Sequence, residues 1–381
     1  MLELPVRQAT TQPVSQLMLY VTEQCNLRCS YCFVDKQPRH LSLDKALRAV
    51  DFFLHPEVSG NAEALHLNFF GGEPFLRPEV MLEVVRYARR KAGNRIRFGA
   101  TTNGTLANPK VQQVIEEGQL TLLLSLDGDE HSHLFRPTVG GRNSYPQIEK
   151  NLRSLLQWSP GSMIRMTYHP GSLKLLDNVQ AAMQLGAPWI SLSPVIEADW
   201  TGVEQQLEHE SQRLTDWFLQ EIESGRVPPL EMHWRFLSAL QQRGQRPARA
   251  CELGKGILAV DTAGNILPCH RYLYRKQDHL GSLDRLQRFS ERRQPYLELT
   301  RAEVPECPTC IANTVCGGGC RVVAQEAGYG LQGVHPNHCL LTRVHVRQML
   351  RVLQRLGDSP RLTSLLQRYM RCETARAWSQ T

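Results

Sequence analysis

Between residues 17 and 196, apolar runs of six to eight residues alternate with amphipathic stretches. The runs are LMLYVT (17–22), ALHLNFF (64–70), RIRFGATT (95–102), LTLLLSLD (120–127), MIRMTYH (163–169) and WISLSPVI (189–196). Near-continuous apolar runs of this length read as strands buried on both faces. The stretches between them carry a helical period. LSLDKALRAVDFFL places Leu43, Ala46, Leu47, Val50 and Phe53 on one face, with Ser42 as N-cap. PEVMLEVVRYARRKA, NPKVQQVIEEG, SYPQIEKNLRSLLQ and LKLLDNVQAAMQLG repeat the pattern. Strand–helix alternation predicts a parallel sheet with right-handed crossovers. Six units fall short of the eight that close a full barrel. The expected fold class is therefore α/β, an open partial (β/α)6 barrel.

Beyond residue 202 the period changes. Two helices are expected in QQLEHESQRLTDWFLQEIES and LEMHWRFLSALQQ. GILAVDTAGNILPC then reads as a β-hairpin turning at Ala263-Gly264-Asn265, and helical stretches follow residue 340. The expected organisation is an N-terminal extension (1–15), a barrel core (16–202), bridging helices (203–250), a small cysteine-rich domain (251–345) and C-terminal helices (346–381).

Composition adds compartment and charge. The opening stretch has no apolar h-region and no run approaches a membrane span, which predicts a cytoplasmic chain with reduced thiols. In that setting clustered cysteines read as metal ligands. The net charge of +7 is spread without an aromatic-interleaved basic stripe. That pattern predicts no nucleic-acid partner and a solvated basic surface able to receive an acidic peptide.

The eleven cysteines are unevenly placed. Cys25, Cys29 and Cys32 lie just after the first strand, residues 33–250 contain none, and Cys251, Cys269, Cys307, Cys310, Cys316, Cys320 and Cys339 follow. Cys372 stands apart in charged helical surroundings and is expected to be a free surface thiol. Three thiolates around a cubic cluster leave one iron open, so the missing ligand belongs to substrate or cofactor. The site sits at the C-terminal end of a strand, where barrel sheets carry chemistry. The next strands end in GGEP, TTNG and SLDG, bringing Gly71, Gly72, Glu73, Asn103, Ser125 and Asp127 toward the same mouth. Each of these is also an ordinary turn signal.

Cys25-x3-Cys29-x2-Cys32, with Tyr31 before the last cysteine and GGEP on the next strand, resembles the radical SAM superfamily over roughly residues 16–200. The resemblance implies a [4Fe-4S] cluster whose open iron is chelated by the amino and carboxylate groups of S-adenosylmethionine. Glu73 and the Gly71-Gly72 backbone would hold the amino group, and Tyr31 would lie near the adenine. By position Ser125 and Arg136 resemble ribose and carboxylate contacts, and Asn103 joins them as a cofactor contact. The implied chemistry is one-electron cleavage to methionine and a 5′-deoxyadenosyl radical, which the protein aims at one C–H bond.

The second cysteine group resembles the SPASM extension of radical SAM peptide maturases, over about residues 251–345. That implies two further iron–sulfur clusters: an inner one on Cys251, Cys269 and Cys320, and an outer one on Cys307, Cys310, Cys316 and Cys339. The stretch after Cys251 supplies no extra cysteine, so an open or non-cysteine-ligated iron is expected in the inner cluster. Sulfatase-maturating relatives carry an Asp after the second cysteine; here His270 takes that position, as a base or as a loop cap. With Cys25 so near the start, no peptide-recognition domain is expected ahead of the barrel. The expected partners are a precursor peptide or protein substrate, an electron donor such as flavodoxin or ferredoxin, and a separate peptide-recognition protein. The leading expectation is a maturase that forms a cross-link or an oxidised residue in a ribosomally made peptide. Formylglycine formation in a sulfatase and a zinc-stabilised binding module are the alternatives.

Overall fold

A computed structural model describes residues 12–60, 62–241, 251–357 and 359–371. Residues 1–11 of the expected N-terminal extension, residues 242–250 of the bridging segment, and Cys372 lie outside the described residues. The chain divides into two compact bodies.

Among the described residues, the first body comprises 12–60, 62–124, 136–160 and 252–299. Its strands are β1 (Gln16–Thr22), β2 (Leu65–Gly71), β3 (Ile96–Thr102) and β4 (Thr121–Ser125, whose last residue passes into the second body). Helices α1 (Leu43–Leu54), α2 (Pro56–Ser59), α3 (Pro78–Ala92), α4 (Pro109–Gly118) and α5 (Tyr145–Trp158) alternate with them. Neighbouring strands from β1 to β4 run parallel. All seven residues of β1 are buried, as the continuous apolar run requires. Ser42 caps α1 by accepting Lys45 N, and Asn108 caps α4 by accepting Lys110 N and Val111 N.

The hairpin that opens the cysteine-rich end joins this same sheet. Strand β7 (Ile257–Val260) pairs parallel with β1, from Gln16↔Ile257 to Leu19↔Val260. Strand β8 (Asn265–Leu267) returns antiparallel, and the short β9 (Gly281–Ser282) pairs with it. Helix α9 (Phe289–Leu297) packs Phe289 edge-on against Phe52 of α1.

Among the described residues, the second body comprises 125–135, 161–241, 251, 300–357 and 359–371. It holds the parallel pair β5 (Met163–Tyr168) and β6 (Ile190–Pro194), together with α6 (Leu175–Gln184). The bridging helices are α7 (Glu204–Glu223) and α8 (Glu231–Gln241). Helices α10 (Arg321–Glu326), α11 (Pro336–Leu356) and α12 (Pro360–Arg371) complete it. The expected α/β class holds, and all six predicted strands form with ends within two residues of expectation. Among the described residues, no helix is long and apolar enough to cross a membrane.

Candidate functional site

The loop after β1 is held by hydrogen bonds from its own residues and from neighbouring segments. Cys25 is buried, while Cys29 and Cys32 are half-buried. Leu27 N and Asn103 Nδ2 approach Cys25 Sγ at 3.4 and 3.6 Å, and Cys32 N donates to Cys29 O at 3.2 Å. The Arg28 guanidinium donates to the carbonyls of Cys25 and Leu27 at 2.8 and 2.9 Å. A second segment of the same body clamps the loop: Arg28 N donates to Pro137 O at 2.7 Å and Val139 N to Asn26 O at 3.2 Å.

The end of β2 is stitched to this loop through backbone. Gly72 N donates to Thr22 O and Glu73 N to Gln24 O, both at 2.9 Å. A Cβ on Gly71 would stand 1.9 Å from Thr22 O, and one on Gly72 would stand 2.3 Å from Gln24 O. The two glycines are therefore required for close approach of two chain segments. Residues 72 and 73 thus spend both of their backbone N–H groups on the loop.

Glu73 has no solvent exposure. Its carboxylate accepts from Phe75 N at 3.0 Å, Thr102 Oγ1 at 2.8 Å and Asn103 N at 2.7 Å. Burial pushes its pKa up to about 7 despite these donors and the nearby positive charge of Arg136. A carboxylate has about four acceptor positions, and these donors take three of them on Glu73. Burial, followed by the charge of Glu73, pushes the Cys25 thiol up to about 12. Arg136 is buried, with 2% of its surface exposed.

Asn103 lies at the end of β3, but its side chain works within the protein. Its Nδ2 donates to Asn26 Oδ1 at 2.9 Å as well as facing Cys25, and its Oδ1 accepts from Thr105 N and Thr105 Oγ1 at 3.0 and 2.6 Å. Asn26 Nδ2 closes the ring by donating to Thr105 Oγ1 at 2.7 Å. Asn26, Thr102 and Thr105 were missed by sequence reasoning, because a short polar residue beside a turn has no local signal of its distant partner. Tyr31 is half-buried in the loop, and Ser125 is half-buried at the end of β4.

His270 belongs to the same body as the three-cysteine loop. Its ring lies 5.8 Å from Phe33 and 4.9 Å from Phe70, centroid to centroid, and its carbonyl accepts from Tyr20 Oη at 2.6 Å. Phe33 follows Cys32 and Phe70 precedes Gly71, so His270 stands beside both motifs. Cys269 Sγ is 3.5 Å from His270 Nδ1. Glu23, which opens the loop, is tied to Arg39, Thr262 and Tyr274, binding the loop to the β7–β8 turn.

The second body holds Cys251, Cys320 and the outer set. There, Cys307 Sγ accepts from Val304 N at 3.3 Å, Cys310 Sγ from Ala312 N at 3.5 Å and Cys316 Sγ from Gly318 N at 3.4 Å. Burial pushes the thiols of Cys316 and Cys339 up, with Arg301 and Arg343 opposing it respectively. Backbone N–H groups aimed at cysteine sulfur are the donors that iron–sulfur clusters use. Among the described residues, no three His, Cys, Asp or Glu side chains form a group that could hold a single metal ion. A cubic cluster makes a different demand, since each thiolate takes its own iron. Within each set the thiols lie close enough to act on one another electrostatically, Cys29 and Cys32 on Cys25, and Cys307 and Cys310 on both Cys316 and Cys339, which fits that demand.

Comparison with known proteins agrees with this chemistry. The model of the Radical SAM superfamily matches residues 19–173. An uncharacterized protein of Methanocaldococcus jannaschii, MJ0907, is 31% identical over 133 residues, 34% of this chain and 45% of that protein. The chain thus spans under half the length of this curated relative. Among solved structures, anSMEcpe with bound AdoMet superposes with a TM-score of 0.76 at 17% identity, covering 94% of this chain and 99% of that one. Streptococcus suis SuiB bound to its precursor peptide SuiA superposes with a TM-score of 0.61 at 15% identity, covering 86% and 76%. These likenesses show the fold alone.

Proposed function

We propose, starting from a chain whose residues 19–173 are a radical SAM domain, that this protein is an enzyme that modifies a residue of a peptide or protein by radical chemistry. The observation that carries the reading is the three-cysteine loop, held rigid by Leu27, Arg28 and Asn103 and backed by the buried Glu73 network. Cys25, Cys29 and Cys32 would hold the cluster. Glu73 and the glycine carbonyls would accept from the amino group of S-adenosylmethionine, with Tyr31, Ser125 and Arg136 as its further contacts. The cluster and this cofactor, when bound, supply a 5′-deoxyadenosyl radical able to remove hydrogen from an unactivated carbon. The protein's share is to orient the reacting carbon and exclude water.

Cys251, Cys269 and Cys320 would hold an inner auxiliary cluster with three thiolates, and Cys307, Cys310, Cys316 and Cys339 an outer one with four. His270, packed beside Phe33 and Phe70, would serve as a proton acceptor or a loop cap. Peptide-bound relatives support the substrate class: anSMEcpe has been solved with a Cp18Cys peptide and SuiB with SuiA. The finer reading is a cross-link or oxidised residue in a ribosomally made peptide, with a flavodoxin- or ferredoxin-like electron donor and a separate peptide-recognition protein.

The test is anaerobic reconstitution with iron and sulfide, followed by S-adenosylmethionine, dithionite and quantification of 5′-deoxyadenosine. Release that vanishes in Cys29→Ala is expected; release that persists would refute the assignment of the loop. Intact mass of a co-expressed small peptide then reads the modification, and loss of two hydrogens is the expected change.

A further inference from the structure

The outer cysteine set carries a histidine that its ligand count does not require. His338 precedes Cys339 in the first turn of α11, and its Nε2 stands 3.4 Å from Cys316 Sγ. The ring is held in place from two other sides. A Cβ on Gly319 would stand 2.7 Å from His338 Cγ, and the Gly319 φ of +76° is itself a glycine conformation. Thr342 Oγ1, one turn further along α11, lies 3.4 Å from the same Nε2.

A cysteine sulfur bound to iron has no proton to give. The His338–Cys316 contact is then attractive only when Nε2 carries the hydrogen, which leaves the Thr342 hydroxyl as a second acceptor. Cys316 would thus receive two N–H groups, one from Gly318 and one from His338. Donors to cluster sulfurs favour the more negative, reduced state, so each one raises the potential.

We propose, resting on the reading that Cys307, Cys310, Cys316 and Cys339 hold an iron–sulfur cluster, that His338 is a positioning residue that hydrogen-bonds the Cys316 thiolate and raises the reduction potential of that cluster. The histidine is a tuning group on the sulfur, and Gly319 is the clearance that lets it reach.

The experiment is a redox titration of the reconstituted full-length protein followed by electron paramagnetic resonance, with iron and sulfide assayed alongside. The outer signal is identified as the one lost in Cys339→Ala. His338→Phe is expected to keep that signal and shift its midpoint to a more negative value. His338→Gln, whose amide N–H reaches toward the Nε2 position, is expected to titrate with the wild type. An unmoved midpoint in His338→Phe, or equal shifts in both variants, would overturn the proposal. If His338→Phe loses iron, the Gln variant decides: a wild-type midpoint supports the proposal and a shifted one overturns it. A full complement of iron in Cys339→Ala would instead overturn the reading that these four cysteines hold a cluster.

Discussion

Glu73 faces opposing demands on one proton: burial favours the neutral acid, while three donors and Arg136 favour the anion. The balance leaves its pKa raised from 4.5 to about 7. The unfolded chain releases this proton at lower pH than the folded one. The contribution of Glu73 to the stability of the metal-free protein is therefore expected to be fully present in acid and to be lost as pH rises from about 4.5 through 7. The full loss amounts to about 3 kcal/mol. Urea unfolding of wild type and Glu73→Gln across that range checks this, and parallel curves would contradict it. A bound ammonium next to Glu73 would reverse part of the cost, tying cofactor binding to the ionised carboxylate. Cys25 makes the same argument from the other side. With its thiol near 12 in the metal-free protein, cluster assembly has to displace a proton at neutral pH. Neither shift is visible in the sequence, since CNLRCSYC and GGEP say nothing of how deeply each group is buried.

At the scale of elements, the end of β2 and the loop after β1 behave as one unit joined by Gly72 N and Glu73 N. Replacing Gly72 by Ala puts a methyl group against the Gln24 carbonyl, which no side-chain rotation relieves. The expected cost is about 3 kcal/mol, together with loss of the iron proposed for the first loop while that proposed for the C-terminal cysteines is kept. Iron content and thermal melting of Gly72→Ala measure both, and a fully loaded variant would count against the stitched geometry. In the second body, α7 and α11 are joined by Arg347–Glu208, Arg351–Asp216 and Arg355–Glu223. These partners are substantially exposed, so each pair contributes little and the apolar faces beneath carry the packing. Ser42 at the start of α1 was readable as a cap from its place before an apolar-periodic run. The pairing of β7 with β1 was not readable, because a hairpin has no local signal for a parallel neighbour more than two hundred residues away.

For the whole molecule, the cysteines divide into one early group and one late group, which predicts separable losses. Cys29→Ala is expected to abolish cofactor cleavage while keeping about two-thirds of the iron, as two of the three proposed clusters lie elsewhere; total iron assay decides it. Cys320→Ala is expected to depress product formation far more than 5′-deoxyadenosine release. Equal loss of both activities would assign the inner cysteines a structural role.

The sequence alone determined the strand–helix alternation, because continuous apolar runs and helical periods are local patterns imposed by burial. It also determined the cysteine spacing, because three thiolates within eight residues constrain chemistry wherever they lie. Tertiary structure decided the rest. It directed the clearance at Gly71 and Gly72 toward the carbonyls of Thr22 and Gln24, and turned Asn103 inward to Asn26, Thr105 and Cys25. It also brought His270 beside Phe33 and Phe70, and His338 to Cys316. The physical reason is common to all of these. A hydrogen bond or close contact depends on distance in space, and spacing along the chain records that distance only when both partners share one helix, strand or turn.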